Sequence, residues 1–133
     1  ACAWESLERL TSRTALVMYD LKLMDDEAHR RWTGTSNVRI LDNERRLDAA
    51  KTVVRVPLVP GVSDTDGNVS AVFEFMREVG LTRAELLPFN ASAGAKYEWL
   101  GRSFDVAGEP QSRGRLGELV AAGEGRGLHV LVG

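Results

Sequence analysis

The chain has 133 residues, 44% of them hydrophobic and 27% charged, and 17 basic against 19 acidic side chains leave a net charge of −2. That balance excludes a disordered chain, and a pI near 5.7 excludes a general basic footprint for nucleic acid. The longest apolar runs, such as residues 15–18, are far shorter than the roughly 20 residues that span a bilayer. A single cysteine, Cys2, permits neither an internal disulfide nor a cysteine-held metal cluster. Together these features predict a reduced, cytoplasmic protein of one domain with no membrane contact.

In chain order, Trp4, Leu7 and Leu10 predict an opening helix that stops before residues 11–13. A first buried strand is expected over 15–19. Asp25 and Asp26 then cap a short helix holding His29, and a longer helix is expected over 37–50 with Ile40, Leu41 and Leu47 inward. Residues 52–57 read as a second strand. Val69, Val72, Phe73 and Met76 repeat at i, i+3, i+4, i+7, so they share one face of a helix capped by oxygens within 63–66 and ended at Gly80. A third strand over 84–87 is followed by a loose stretch at 104–114. Leu116, Leu119 and Val120 make a further helical stripe, and 128–132 form a fourth strand.

Strands alternating with helices argue for an α/β fold with a parallel sheet and crossover connections. Four strands are too few to close a (β/α) barrel, and as an open sheet they would need helices on both faces. Opening on a helix, from an Ala1 that is no natural start, fits a chain that begins inside a larger unit.

Ligands of open α/β sheets and barrels sit beyond the carboxyl ends of the strands. The first strand ends in Tyr19-Asp20-Leu21-Lys22, and residues two apart share a face, so Asp20 and Lys22 project together. An acid beside a base suits the ammonium and carboxylate of an amino-acid-like ligand, or simply makes an ion pair. Arg55, inside Val53-Val54-Arg55-Val56-Pro57, is costly unless paired or turned to a polar cavity. Asn90 ends the third strand, as a ligand contact or a turn residue. His29 and His129 share no metal-ligand spacing, and His29 reads as a surface or packing residue. Gly123, Gly125 and Gly127 follow a helix, so they read as a helix stop and not as a phosphate loop. Lys96, Arg102 and Arg55 make no basic stripe. The acceptor patterns Asn68-Val69-Ser70 and Asn90-Ala91-Ser92 are chance matches in a cytoplasmic setting.

Taken in order, the motifs resemble the activating enzymes of glycyl radical enzymes, the pyruvate formate-lyase activating enzyme type of the radical S-adenosylmethionine superfamily. The resemblance rests on Ala15-Leu-Val-Met-Tyr-Asp-Leu-Lys22, Met24-Asp-Asp-Glu-Ala-His-Arg30, Thr33-Gly-Thr-Ser-Asn37 and Ile40-Leu41 with Asn43. It continues through Val54-Arg55-Val-Pro-Leu-Val-Pro-Gly61 with Asp64 and Asn68, Glu85-Leu-Leu-Pro-Phe89, Gly94-Ala-Lys96-Tyr97 and Leu100-Gly101. It covers nearly the whole chain, and the ordered set is more specific than any one piece.

The resemblance implies a fragment of a partial (β/α) barrel, with residues 1–133 as a single domain from the carboxyl-terminal part. It also implies an oxidoreductase in which a [4Fe–4S] cluster, held by a C-x3-C-x2-C loop, reduces S-adenosylmethionine. The resulting radical takes hydrogen from a backbone glycine of the partner, a pyruvate formate-lyase or a related lyase or dehydratase. Asp20, Leu21 and Lys22 would then line the cofactor site and contact its methionine part. Arg55 would face the cavity, and Gly34 and Asn37 would shape a loop. Asn90 stands where the family has a histidine; asparagine still donates and accepts hydrogen bonds but carries no proton or charge. The cluster cysteines are absent, so the chain alone is expected to be inactive and to bind neither cofactor tightly. The alternative is a non-catalytic α/β interaction module that pairs through an exposed sheet edge.

Overall fold

A computed structural model describes residues 3–13, 16–89 and 109–133. Helix α1 (Trp4–Thr11) precedes β1 (Val17–Asp20), and α2 (Asp26–Thr33) and α3 (Val38–Arg45) follow. A 3-10 turn (Ala49–Lys51) leads into β2 (Thr52–Pro57), then come α4 (Asp66–Val79) and β3 (Arg83–Leu87). After residue 108, α5 (Arg113–Glu124) and β4 (His129–Val132) complete the chain. The four strands form one parallel sheet in sequence order, β1-β2-β3-β4. Parallel neighbours need a crossover between them, and helices lie in each interval.

Local chemistry places the ends of these elements. Asp25 accepts from the Ala28 amide at the start of α2, Thr65 from Asn68 at the start of α4, and Ser112 from Arg115 at the start of α5. Gly80 ends α4 at φ 83, a left-handed turn that a side chain would strain. The expected 37–50 helix is shorter: α3 stops at Arg45, because Asp48 caps the separate 3-10 turn by accepting from Ala50. Leu10 is corrected too. It is 68% exposed, so α1 faces the protein through Leu7 and Trp4.

The core lies on one side of the sheet. Val54, Val56, Ala84, Leu86 and Val130 meet Val69, Val72, Phe73 and Met76 of α4 and Leu119 of α5, with Ile40 and Leu41 of α3 against them. Each such side chain contributes about 1.5 to 3 kcal/mol when fully buried. A satellite cluster joins Leu7 and Trp4 to Val17, Tyr19 and Leu47. Gly123 belongs to this packing as well as to the helix end. A Cβ there would strike Val130 Cγ2 and crowd the Phe73 ring at 3.1 Å.

An open sheet would need helices on both faces; here α1, α3, α4 and α5 all supply core residues to this one face, as in a fragment of a (β/α) barrel. The other presents Met18, Asp20, Arg55, Glu85 and Leu131, and Met18 and Leu131 are 47% and 55% exposed. Charged side chains occupy the middle of that face, so it does not demand an apolar cover. No helix among the described residues is long and apolar enough to cross a membrane.

Two asparagines hold the loop that follows β1. Asn37 Nδ2 donates to the carbonyls of Leu23 (3.0 Å) and Met24 (2.8 Å). Asn68 Nδ2 donates to the carbonyls of Lys22 (2.9 Å) and Ser63 (3.0 Å), while its Oδ1 accepts from the Met24 amide at 3.0 Å. Asp26 fixes Asn37 by accepting from its amide (2.9 Å) and from Ser36 Oγ (2.7 Å). These bonds also hold the Asp26 carboxyl below its usual range, Ser36 having the larger effect. His29 is buried, a packing residue and not a surface one, with Nδ1 2.6 Å from the Thr35 carbonyl.

Two buried groups lack such support, Arg55 Nε on β2 and the Glu44 carboxylate. Glu44 on α3 is fully buried, and neither carboxylate oxygen has a hydrogen-bond partner among the described residues. Its neighbours turn elsewhere: Arg45 lies over the Phe75 ring, and Arg46 pairs with Asp42 at 3.2 Å. Burial therefore pushes the Glu44 carboxyl up to about 8.

Two predictions follow from this arrangement. Asn68→Ala removes both donors and the acceptor from half-buried peptide groups, and it should destabilise the fold by roughly 2 kcal/mol in urea titrations. A loss below about 0.5 kcal/mol would mean that the clamp is ornamental. For Glu44, the folded state keeps a proton that the unfolded chain releases above its ordinary carboxylate pKa. Its contribution is thus complete at low pH, falls as pH rises through the window up to about 8, and is level beyond it. Glu44→Gln should gain on the wild type by a few kcal/mol, on the order of 1.4 per pKa unit, between pH 5 and 8. Parallel stability profiles for the two proteins would refute the buried neutral acid.

Candidate ligand site at the strand ends

The alternation inferred from the sequence places Asp20 at the carboxyl end of β1 with Lys22 two residues on. The Leu21 amide still donates to the Arg55 carbonyl at 2.8 Å, which carries strand-like geometry past Asp20. Leu21 is 1% exposed and its side chain belongs to the main core, so only its backbone remains to line a ligand site. Burial lowers the pKa of the Lys22 ammonium, and the nearby Asp20 carboxylate offsets part of that shift.

Arg55 joins them. It is the Cα partner of Asp20 in the adjacent strand, and Arg55 Nε lies 3.7 Å from Asp20 Oδ1. Both side chains remain partly exposed, at 35% and 46%. The cost of a guanidinium in an apolar strand is thus met in two ways: an acid stands beside it, and it points to the open face. An acid, a base and a guanidinium converge on one rim of the sheet, a set able to take the carboxylate and ammonium of an amino acid. Asn90, the remaining expected contact, lies outside the described residues, as do Lys96, Arg102 and Cys2.

The rim owes its shape to residues that the site reading passed over. After β2, Ser63 Oγ donates to the Pro57 carbonyl (2.6 Å) and accepts from the Val59 amide (2.8 Å). Gln111, just before α5, donates to the Leu58 carbonyl (3.2 Å) and Asp64 (3.1 Å) and accepts from the Phe89 amide (2.9 Å). It thus ties the loops after β2 and β3 together. Arg115 adds bonds to the Asp64 carbonyl and the Asp66 carboxylate, both at 2.7 Å. Asp64 and Asn68 carried a signal through the resemblance; Gln111 lies in a stretch of low information and carried none.

The described residues contain no group of three or more His, Cys, Asp or Glu able to hold a metal ion. A surface depression of about 650 Å3 beside α3, lined by Thr35, Ser36, Val38, Arg39, Asp42 and Arg45, contains none of the expected site residues. The charged rim lies apart from it, on the open face of the sheet.

No family model matches the sequence. Among curated proteins, the chain is 36% identical over 127 residues to the isethionate sulfite-lyase activating enzyme of Oleidesulfovibrio alaskensis, covering 90% of this chain and 41% of that protein. It is 34% identical over 105 residues to the 4-hydroxyphenylacetate decarboxylase activating enzyme of Clostridioides difficile, covering 75% and 33%. The trans-4-hydroxy-L-proline dehydratase activating enzyme of Clostridioides difficile is 32% identical over 105 residues, covering 76% and 35%. The chain thus spans about two fifths or less of the length of these relatives. Among solved structures, a domain of pyruvate-formate lyase-activating enzyme from Bacteroides vulgatus superposes with a TM-score of 0.76 at 22% identity, covering 97% of this chain and 73% of that one. A radical SAM methyltransferase from Sphaerobacter thermophilus gives 0.66 at 16%, covering 98% and 38%, and both likenesses speak to fold alone. A one-sided parallel sheet with a charged rim and these sequence matches lead to one statement: the homologues of this chain are glycyl-radical-enzyme activating enzymes, and it corresponds to their carboxyl-terminal part.

Proposed function

We propose that residues 1–133 form one unit of a cytoplasmic glycyl-radical-enzyme activating enzyme, the part that receives the amino-acid end of S-adenosylmethionine. The observation that supports this reading is the convergence of Asp20, Lys22 and Arg55 on the open face at the strand ends. The residues fit the group: Lys22 would take the cofactor's carboxylate, Asp20 its ammonium, and Arg55 would face the cavity and the partner's loop. A [4Fe–4S] cluster with S-adenosylmethionine supplies the radical that takes hydrogen from a glycine of the partner lyase, decarboxylase or dehydratase. This chain contributes one cysteine, Cys2, against the several thiolates a cluster needs, so by itself it is catalytically silent. Asn90 would stand in for the family's histidine as a neutral contact.

A second reading draws on exposed apolar side chains at both sheet edges, Leu16 and Met18 by β1 and Leu131 and Val132 on β4. Exposed edges invite pairing, and the chain would then act as a non-catalytic module that self-associates. Light scattering separates the two: a concentration-dependent dimer favours the module, and a strict monomer removes it.

Two results test the leading reading. Anaerobic reconstitution of this chain with iron and sulfide should give no cluster absorbance and no cofactor cleavage, and either signal would overturn its silence. In a protein that carries these residues together with a C-x3-C-x2-C loop, Lys22→Ala should weaken S-adenosylmethionine binding roughly tenfold or more, the scale of one charge-assisted bond. Unchanged affinity would remove Lys22 from the site.

A further inference from the structure

Three charged residues share one register row on the open face. Asp20 is the Cα partner of Arg55, and Arg55 is the Cα partner of Glu85, so the guanidinium stands between carboxylates on both flanking strands. Only one flank is engaged. The 3.7 Å approach to Asp20 is an ion pair too long for a hydrogen bond, and Arg55 Nε has no hydrogen-bond partner among the described residues.

The Glu85 side chain makes no hydrogen bond or ion pair among the described residues. Its Oε1 instead lies over the Gly133 α-carbon, 2.5 Å from where a Cβ would stand, a position open only because that residue has no side chain. Adjacent strands are about 4.8 Å apart, so an arginine that reaches one flank reaches the other by rotating its side chain, with the backbone still.

We propose that Glu85 is the alternative partner of Arg55, a positioning residue that takes the guanidinium when a cationic ligand group occupies the Asp20 carboxylate. An ammonium arriving at Asp20 meets a carboxylate already half neutralised, with a like charge beside it. Moving Arg55 across to Glu85 removes that repulsion, and it leaves no guanidinium stranded on a partly buried strand. The choice of ligand, the ammonium of a sulfonium amino acid, rests on the function proposed above; the transfer itself does not.

The test has two parts. In this chain without ligand, double-mutant cycles with Arg55→Ala and Glu85→Gln are run in the wild-type background and again with Asp20→Asn, which removes the competing charge. The coupling should be near zero with Asp20 present and should reach about two- to fivefold in the folding equilibrium constant once it is neutralised. No coupling in either background overturns the proposal, and should a variant not fold, the Arg55 Nε–H resonance in Asp20→Asn alone must shift if the transfer occurs. In the second part, Glu85→Gln in a cluster-bearing form is titrated with S-adenosylmethionine and with 5′-methylthioadenosine, which lacks the ammonium. The first should weaken by about two- to fivefold and the second should not change. Equal loss for both, or none, overturns ligand-driven transfer. Wild-type protein that binds neither sinks the functional reading, while the coupling cycle still decides whether Glu85 receives Arg55.

Discussion

The charged rim hangs on the backbone of residues 22–24, and that backbone is held by two side-chain amides. Asn37 and Asn68 together make four hydrogen bonds to it, two donated to Leu23 and Met24, one donated to Lys22 and one accepted from Met24. A loop between a strand and a helix cannot satisfy its own peptide groups, and in a half-buried setting each orphaned group would cost more than a bond returns. The carboxamide suits this task because it donates and accepts at once. The asparagines come from the starts of α3 and α4, so the layer of helices that builds the core also sets where the Lys22 ammonium stands.

The sheet divides labour between its faces. One takes Val54, Val56, Ala84, Leu86 and Val130 into the core, and period-two alternation sends Asp20, Arg55 and Glu85 to the other. Putting charge on this face reduces the drive to bury it. Gln111 and Ser63 then fasten the loops after β2 and β3, so the whole rim is braced by hydrogen bonds to backbone groups. Glu44 runs against this economy as a buried carboxyl without a partner among the described residues, and it makes α3 sensitive to pH.

The relatives activate enzymes as different as a sulfite-lyase, a decarboxylase and a dehydratase, by their names. Likeness to relatives with such different partners reports a shared scaffold and is silent on the choice of partner.

Much was fixed by order and periodicity alone: four strands, and the α4 stripe with its cap within 63–66 and its stop at Gly80. Those features are local, set by dihedral preference and side-chain spacing over a few residues. The break after Arg45 and the exposed Leu10 escaped, because each depends on what lies across from a residue and not beside it. The Asp20–Arg55 pair joins positions 35 apart, and the bond from Gln111 to Phe89 joins two loops, so strand register decided both. Only the assembled sheet could turn three separate charges into one row, since parallel pairing, and no local rule, brings Asp20, Arg55 and Glu85 to the same level.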